Sequence, residues 1–170
     1  MPVLFVLSLY CSLVRSILES DAVVWSPSHA NWIARIEAVQ RKFVRYSLRF
    51  LPWRDPLNLP PYEDRCRLLS IKPLEIRRIT AQASFIGKLL TGDIDCSALL
   101  AQLGLYVLER QLRQRQFLYL EPRNRDYGLN EPVRLATMRF NENYEYFDHN
   151  VSNYVFRNRL LDRFRILNVN

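Results

Sequence analysis

Glycine occupies only four of 170 positions, Gly87, Gly92, Gly104 and Gly128. An all-β sandwich or barrel needs a tight turn every few residues and draws on Gly, Asn-Gly or Asp-Gly pairs to make it. That scarcity argues against such folds and favours helices. Cysteine is limited to Cys11, Cys66 and Cys96, an odd count, widely spaced and without a C-x-x-C pair. A disulfide framework and a zinc site are thereby disfavoured, and each cysteine reads as a small buried apolar side chain in a reducing compartment. The only histidines, His29 and His149, stand alone in their segments and read as loop or interface side chains, not ligands.

The sequence also lacks a glycine-rich phosphate loop, a nucleophile elbow and a metal-binding histidine helix. It contains no Asp-Asp dipeptide of the kind that helps hold paired magnesium ions. Asp93 and Asp95 flank Ile94 as a metal pair would, but they follow Gly92 and read as a helix cap. Glu63-Asp64 is followed by Arg65 and Arg67, a pattern of local ion pairing. The expectation is therefore no catalytic residue, no metal, no cofactor and no small-molecule substrate for this chain alone.

A long hydrophobic run is missing as well. Met1 to Val14 is apolar and uncharged, but Arg15 and Glu19 interrupt it before the roughly 20 residues needed to span a bilayer. Its length suits the core of a signal peptide, yet no basic residue precedes it and no small-x-small cleavage site follows. It reads instead as a helix over 4–20, with Leu4, Leu7, Cys11, Val14 and Leu18 at helical spacing, set in a core because apolar residues surround it. No membrane partner and an intracellular location, cytoplasm or nucleus, are expected on this reading.

What the chain has in excess is positive charge, a net +7 with a pI near 9.6, carried almost wholly by arginine since Lys42, Lys72 and Lys88 are the only lysines. Such a balance favours a polyanionic partner, and guanidinium suits phosphate better than ammonium does. The charge is most ordered in a helix expected over about 30–50, following the Ser26-Pro27-Ser28-His29 break. At about 100° per residue, Trp32, Ile36, Val39, Phe43, Tyr46 and Phe50 share one arc, predicted to face the core. Arg35, Lys42, Arg45 and Arg49 share the adjoining arc, with Arg41 at its edge. Glu37 is the only acid set against these five cations, whereas a merely solvated face usually carries both signs.

Beyond it, Leu51 to Tyr62 contains Pro52, Pro56, Pro60 and Pro61 and reads as an extended linker. Helices are predicted over 62–70, with Tyr62, Arg65, Leu68 and Leu69, and over 73–91, with Pro73 in its first turn and Gly92 as its stop. Ile76, Ile79, Ala83, Ile86 and Leu90 form the buried stripe of the longer one. A short helix over 96–103, capped by Asp95 and ended by Gly104, follows. Leu105 to Leu120 allows a helix without a decisive period, Glu121 to Pro132 reads as loop, and a terminal helix spans about Val151 to Phe164. Either Val151, Val155 and Leu160 or Phe156 and Leu160 face inward in that last helix.

One ordered set of residues resembles a known family. Leu9-Tyr10-x-Ser12-Leu13-Val14-Arg15-Ser16-x-Leu18-Glu19, then Val24-Trp25-x-Pro27, then Arg35-Ile36-Glu37-x-Val39-Gln40-Arg41-x-Phe43-x-Arg45 resembles the segment after the polymerase core in reverse transcriptases of jockey-type, non-LTR retrotransposons. Tyr62, Arg65, Leu68-Leu69, Leu74, Arg77-Arg78, Phe85, Leu90-x-Gly92-x-Ile94-Asp95, Tyr127-Gly128, Pro132, Asn141, Phe147-Asp148, Ser152 and Phe156 extend the resemblance over about 9–160. Ser20-Asp21 departs from the aromatic that family members often carry after the equivalent of Glu19. The family's catalytic palm motif, a Tyr/Phe-Ala-Asp-Asp turn, is not in this sequence, so the resemblance carries over no catalytic residue. It implies the thumb and post-thumb part of such a polymerase, a helical unit that grips template-primer nucleic acid while the palm packs on the first helix.

The expected architecture is mainly α: a thumb-like helix pair over 1–50, a Pro-rich linker over 51–61, a helical subdomain over 62–104 and a helical and irregular tail over 105–170. The expected function is a non-catalytic fragment of an RNA-directed DNA polymerase that holds RNA/DNA template-primer through backbone phosphates, with Arg35, Arg41, Lys42, Arg45 and Arg49 as the contacts. The alternative is a helical protein-interaction module that uses its apolar first helix and has no nucleic-acid role.

Overall fold

The computed structural model describes residues 2–27, 29–50, 59–106, 116–122 and 131–167. Pro2–Leu9 (α1), a π-helical stretch at Tyr10–Arg15 and Ser16–Glu19 (α2) run on without a break. Ala30–Ser47 (α3) continues into a 3-10 turn at Leu48–Phe50, and Tyr62–Leu68 (α4), Leu74–Thr91 (α5) and Ser97–Leu100 (α6) follow. Gly104–Leu105 (β1) and Leu118–Tyr119 (β2) form a two-stranded antiparallel sheet, with Gly104 opposite Tyr119 and Leu105 opposite Leu118. Pro132–Asn141 (α7), a 3-10 turn at Tyr144–Tyr146 and Asn153–Leu167 (α8) complete a mainly helical bundle. The described residues gather into two units, one of 1–22 and 27–77, the other of 23–26 and 78–170, so α5 gives its first turn to the first unit and the rest to the second.

In the first unit Val44, Tyr62, Cys66, Leu69 and Ile71 form the buried cluster, with Val3, Leu7 and Phe43 packed against it. The Tyr10 and Phe43 rings stack at 3.8 Å between α3 and the π-helical stretch, which continues α1. The leading helix departs from the expectation of a core helix. Tyr10 is fully buried, but Leu4, Phe5, Leu13 and Ile17 are 62–72% exposed. A helix that packs along one side buries one stripe however apolar its other faces are. Of the predicted stripe, Leu7, Cys11 and Leu18 are half-buried and Val14 is exposed.

In the second unit Ala83, Ile86 and Leu89 of α5 meet Ala136 and Phe140 of α7, Phe156 and Leu160 of α8, and Leu118 of β2. Phe140 stands edge-on to Phe147 at 5.0 Å and to Phe156 at 5.9 Å, an arrangement aromatic quadrupoles favour. Of the two inward sets proposed for α8, Phe156 and Leu160 are buried, whereas Val155 is half-buried. Gly92 ends α5 with a φ of +78°, a backbone that glycine adopts at no steric cost.

Three local predictions are corrected. Leu105 begins no helix; its strand pairs with β2, although 107–115 lies outside the described residues. Gly104 closes no helix either, for it lies in β1, where a Cβ would come within 3.3 Å of Tyr119 Cβ. Asp93 and Asp95 make no side-chain cap on α6; the Asp93 carboxylate instead accepts a bond from Asn153 Nδ2 at 2.9 Å. Helix α7, missed within the tail, starts at Pro132, whose fixed φ suits a first helical position. Most of the Pro-rich linker, 51–58, lies outside the described residues, as does most of the predicted loop, 123–130.

Asn153 Nδ2 also donates to Thr91 Oγ1 at 2.9 Å, which anchors the start of α8 to the end of α5. At Gly87 a Cβ would lie 2.6 Å from Asn153 Oδ1 and 3.3 Å from the Phe156 ring. Gly87→Ala is therefore expected to cost about 1–3 kcal/mol through overpacking, measured by urea denaturation; an unchanged midpoint would show that α5 and α8 separate at no cost.

Candidate nucleic-acid interface

Helix α3 divides into three faces, and the buried one is polar. Glu37, Gln40, Val44 and Ser47 recur at helical spacing and are all buried, Gln40 and Val44 completely. The predicted core arc is displaced toward solvent: Trp32, Val39 and Tyr46 are 54%, 40% and 47% exposed, while Ile36, Phe43 and Phe50 are half-buried. The reason lies in what meets the helix. Its neighbours present hydrogen-bonding groups that need partners, and only the Glu37–Gln40 face supplies them.

Those neighbours are specific. Tyr10 Oη donates to Gln40 Oε1 at 3.1 Å, and Gln40 Nε2 donates to Tyr62 Oη at 2.9 Å and to the Lys72 carbonyl at 3.0 Å. Tyr62 Oη in turn donates to Glu37 Oε1. The same carboxylate accepts the backbone N–H of Leu74 at 3.2 Å and of Glu75 at 3.1 Å. Helix N-termini leave N–H groups without intrahelical acceptors and carry a partial positive charge, so Glu37 acts as an N-terminal cap supplied from another helix. Arg77, one turn into α5, holds Glu19 of α2 through two nitrogens. Burial, reinforced by the bond to Glu37, raises the Tyr62 phenol far above its ordinary range, and burial followed by the nearby Glu37 charge raises Tyr10. Burial also pushes the Cys66 thiol up to about 11.

Because Glu37 is turned inward, the remaining surface of α3 carries charge of one sign. Arg35, Arg41, Lys42, Arg45 and Arg49 are all exposed, and none makes an ion pair with a described residue. Three of them lie over rings: Arg35 over Trp32 at 4.9 Å, Arg41 over Tyr62 at 5.1 Å and Arg49 over Tyr46 at 5.8 Å. The surface thus combines unneutralised guanidinium with aromatic neighbours, a pairing able to bind phosphate and to stack on planar groups.

Asp64 pairs with Arg67 at 2.9 Å, the local ion pair expected there. His149 sits edge-on to Phe147 at 4.8 Å in an exposed turn, and His29 precedes α3. All three cysteines are free; Cys66 is buried, while Cys11 and Cys96 are only partly so. Among the described residues no group of three or more His, Cys, Asp or Glu could hold a metal ion, and no helix is long and apolar enough to cross a membrane. In comparison with known proteins, no family model, no curated protein and no solved structure matches this chain.

Sequence reasoning placed Glu37 on the cationic helix but not in the interior. Two signals pointed there: Glu37, Gln40 and Ser47 share a helical stripe with Val44, and Pro73 announces a helix start whose N–H groups need an acceptor. Glu37→Leu should leave those two N–H donors and the Tyr62 hydroxyl proton without an acceptor, a loss of about 3 kcal/mol in chemical denaturation. The alkaline limb offers a second check. A thiol whose pKa rises on folding contributes stability that is complete below its unfolded value of 9.0 and is lost as pH climbs through about 11. Cys66→Ala should accordingly lower the plateau stability and flatten that part of the decline; an identical slope in both proteins would exclude a neutral buried thiol.

Proposed function

We propose that the chain is a non-catalytic thumb and post-thumb segment of a jockey-type non-LTR retrotransposon reverse transcriptase, and that it grips template-primer nucleic acid through backbone phosphates. The observation that supports this reading is the exposed arc of Arg35, Arg41, Lys42, Arg45 and Arg49, from which the helix's only acid has been withdrawn into the interior. Cations left without acidic partners bind polyanions chiefly by releasing condensed counterions, which is indifferent to base sequence. The resemblance adds a second support. Tyr10, Gln40, Tyr62 and Glu37 form one hydrogen-bonded set and Glu19 and Arg77 a second within the first unit, and all six are among the residues that carry it. On this reading the exposed Leu4, Phe5, Leu13 and Ile17 stripe receives the polymerase palm.

The exposure of Leu4, Phe5, Leu13 and Ile17 on one leading helix also favours a second reading, a protein-interaction module with no nucleic-acid role, because large exposed apolar patches mark binding sites for other polypeptides. Size-exclusion chromatography with and without nucleic acid separates the two. Self-association or partner dependence that ignores added nucleic acid supports the interaction module.

The direct test is binding of an RNA/DNA hybrid at a series of salt concentrations. Affinity should fall steeply with salt, and each phosphate contact removed by Arg41→Glu, Lys42→Glu or Arg45→Glu should lower the log-log slope by about 0.9. Unaltered affinity in the triple charge-reversed protein would sink the grip.

A further inference from the structure

Helix α3 and the 3-10 turn that continues it carry two parallel ladders of period seven. Trp32, Val39 and Tyr46 form one, and Arg35, Lys42 and Arg49, each three residues further along, form the other. Residues three apart on a helix are surface neighbours, so every cation lies beside one member of the apolar ladder. At both ends that member is an aromatic ring with a guanidinium over it, at 4.9 Å for Arg35 on Trp32 and 5.8 Å for Arg49 on Tyr46. Both rings are about half exposed, at 54% and 47%. Beside the first lies an open hollow of about 480 Å³ lined by Asn31, Trp32, Ala34 and Arg35. At 1.5 Å rise per residue the two rings stand about 21 Å apart.

Resting on the phosphate-grip reading, we propose that this ladder takes an unpaired strand of nucleic acid, with bases stacked at Trp32 and Tyr46 and phosphates held by Arg35, Lys42 and Arg49. A duplex shows a protein only its phosphates, sugars and base edges, and so engages the cations while leaving both rings unused. A single strand presents base faces, which stack on aromatic rings and on guanidinium planes whatever the sequence. The hollow beside Trp32 leaves room for a planar group next to that ring and its guanidinium. The span between the rings suits about four nucleotides, the short end of single-strand site sizes.

The test uses the full chain, a fluorescently labelled oligothymidylate of about twelve nucleotides and a duplex of equal length, with binding read by anisotropy. Trp32→Ala and Tyr46→Ala should each weaken single-strand binding roughly tenfold and change duplex binding by less than about twofold. Trp32→Phe and Tyr46→Phe, which keep a stacking face, should bind nearly as the parent does and so separate lost stacking from lost fold. Equal losses on both ligands, or no loss on either, overturn the proposal. So does a ring variant that shifts the protein's sedimentation while its single-strand affinity stays the same, which would assign the ladder to a polypeptide partner. The triple charge-reversed protein runs alongside. If it loses both ligands while the ring variants keep both, the phosphate grip stands and the single-strand assignment falls; if it keeps both, the grip itself falls.

Discussion

The first unit depends on one carboxylate. Glu37 accepts the Tyr62 hydroxyl and two backbone N–H groups at the start of α5, and so joins α3, α4 and α5 at a single buried point. Its neighbour Gln40 extends the junction to Tyr10 and to the carbonyl of Lys72, the residue before Pro73. Buried polar groups are tolerated when each finds a partner, and a connected set fixes orientation in a way apolar contacts do not, because hydrogen bonds require particular distances and angles. Val44, Cys66, Leu69 and Ile71 supply the apolar burial around this set, and the polar atoms decide which rotation of α3 is native.

That rotation has a consequence for the surface. Turning the Glu37–Gln40 stripe inward places Trp32, Val39 and Tyr46 beside water and leaves the five cations on the outside without an acid among them. The structural demand for an acceptor at the α5 N-terminus and the positive potential of the opposite face are thus two results of one placement. Arg77 and Glu19 add a second tie between α2 and the first turn of α5, with the charge on that arginine further favoured by the adjacent carboxylate.

The second unit solves a related problem with asparagines. Asn141 of α7 exchanges two bonds with the backbone of Leu118, accepting its N–H at 2.9 Å and donating to its carbonyl at 2.7 Å, as a third strand would. A two-residue strand whose outer edge is satisfied in this way can hold a fully buried leucine. Asn143 accepts from Arg163 at 2.6 Å, and Asn153 bridges to Thr91 and Asp93, so the ends of α5, α7 and α8 are all fastened by side chains next to the Phe140, Phe147 and Phe156 rings.

Local chemistry alone determined where most helices lie. The Ser26–His29 break, Pro73 and Gly92 bound α3 and α5 because each acts within a few residues through φ or a missing N–H. Helical spacing narrowed the inward side of α8 to two sets, of which the structure buries Phe156 and Leu160, and the one-signed charge of α3 was legible from composition and period. Tertiary structure decided the rest. Periodicity ranks faces by apolarity, so it pointed to the Trp32–Phe43 arc, and it cannot register that an orphaned helix N-terminus more than thirty residues away requires Glu37. The apolarity of the leading helix could not reveal how many of its sides find neighbours. Leu105 and Leu118 became strand partners, and Asp93 an asparagine's acceptor, through contacts remote in sequence. Local sequence settled most helix bounds and the one-signed charge; the buried face of α3 was decided by long-range hydrogen bonds, because a buried polar group must be matched wherever in the chain its partner lies.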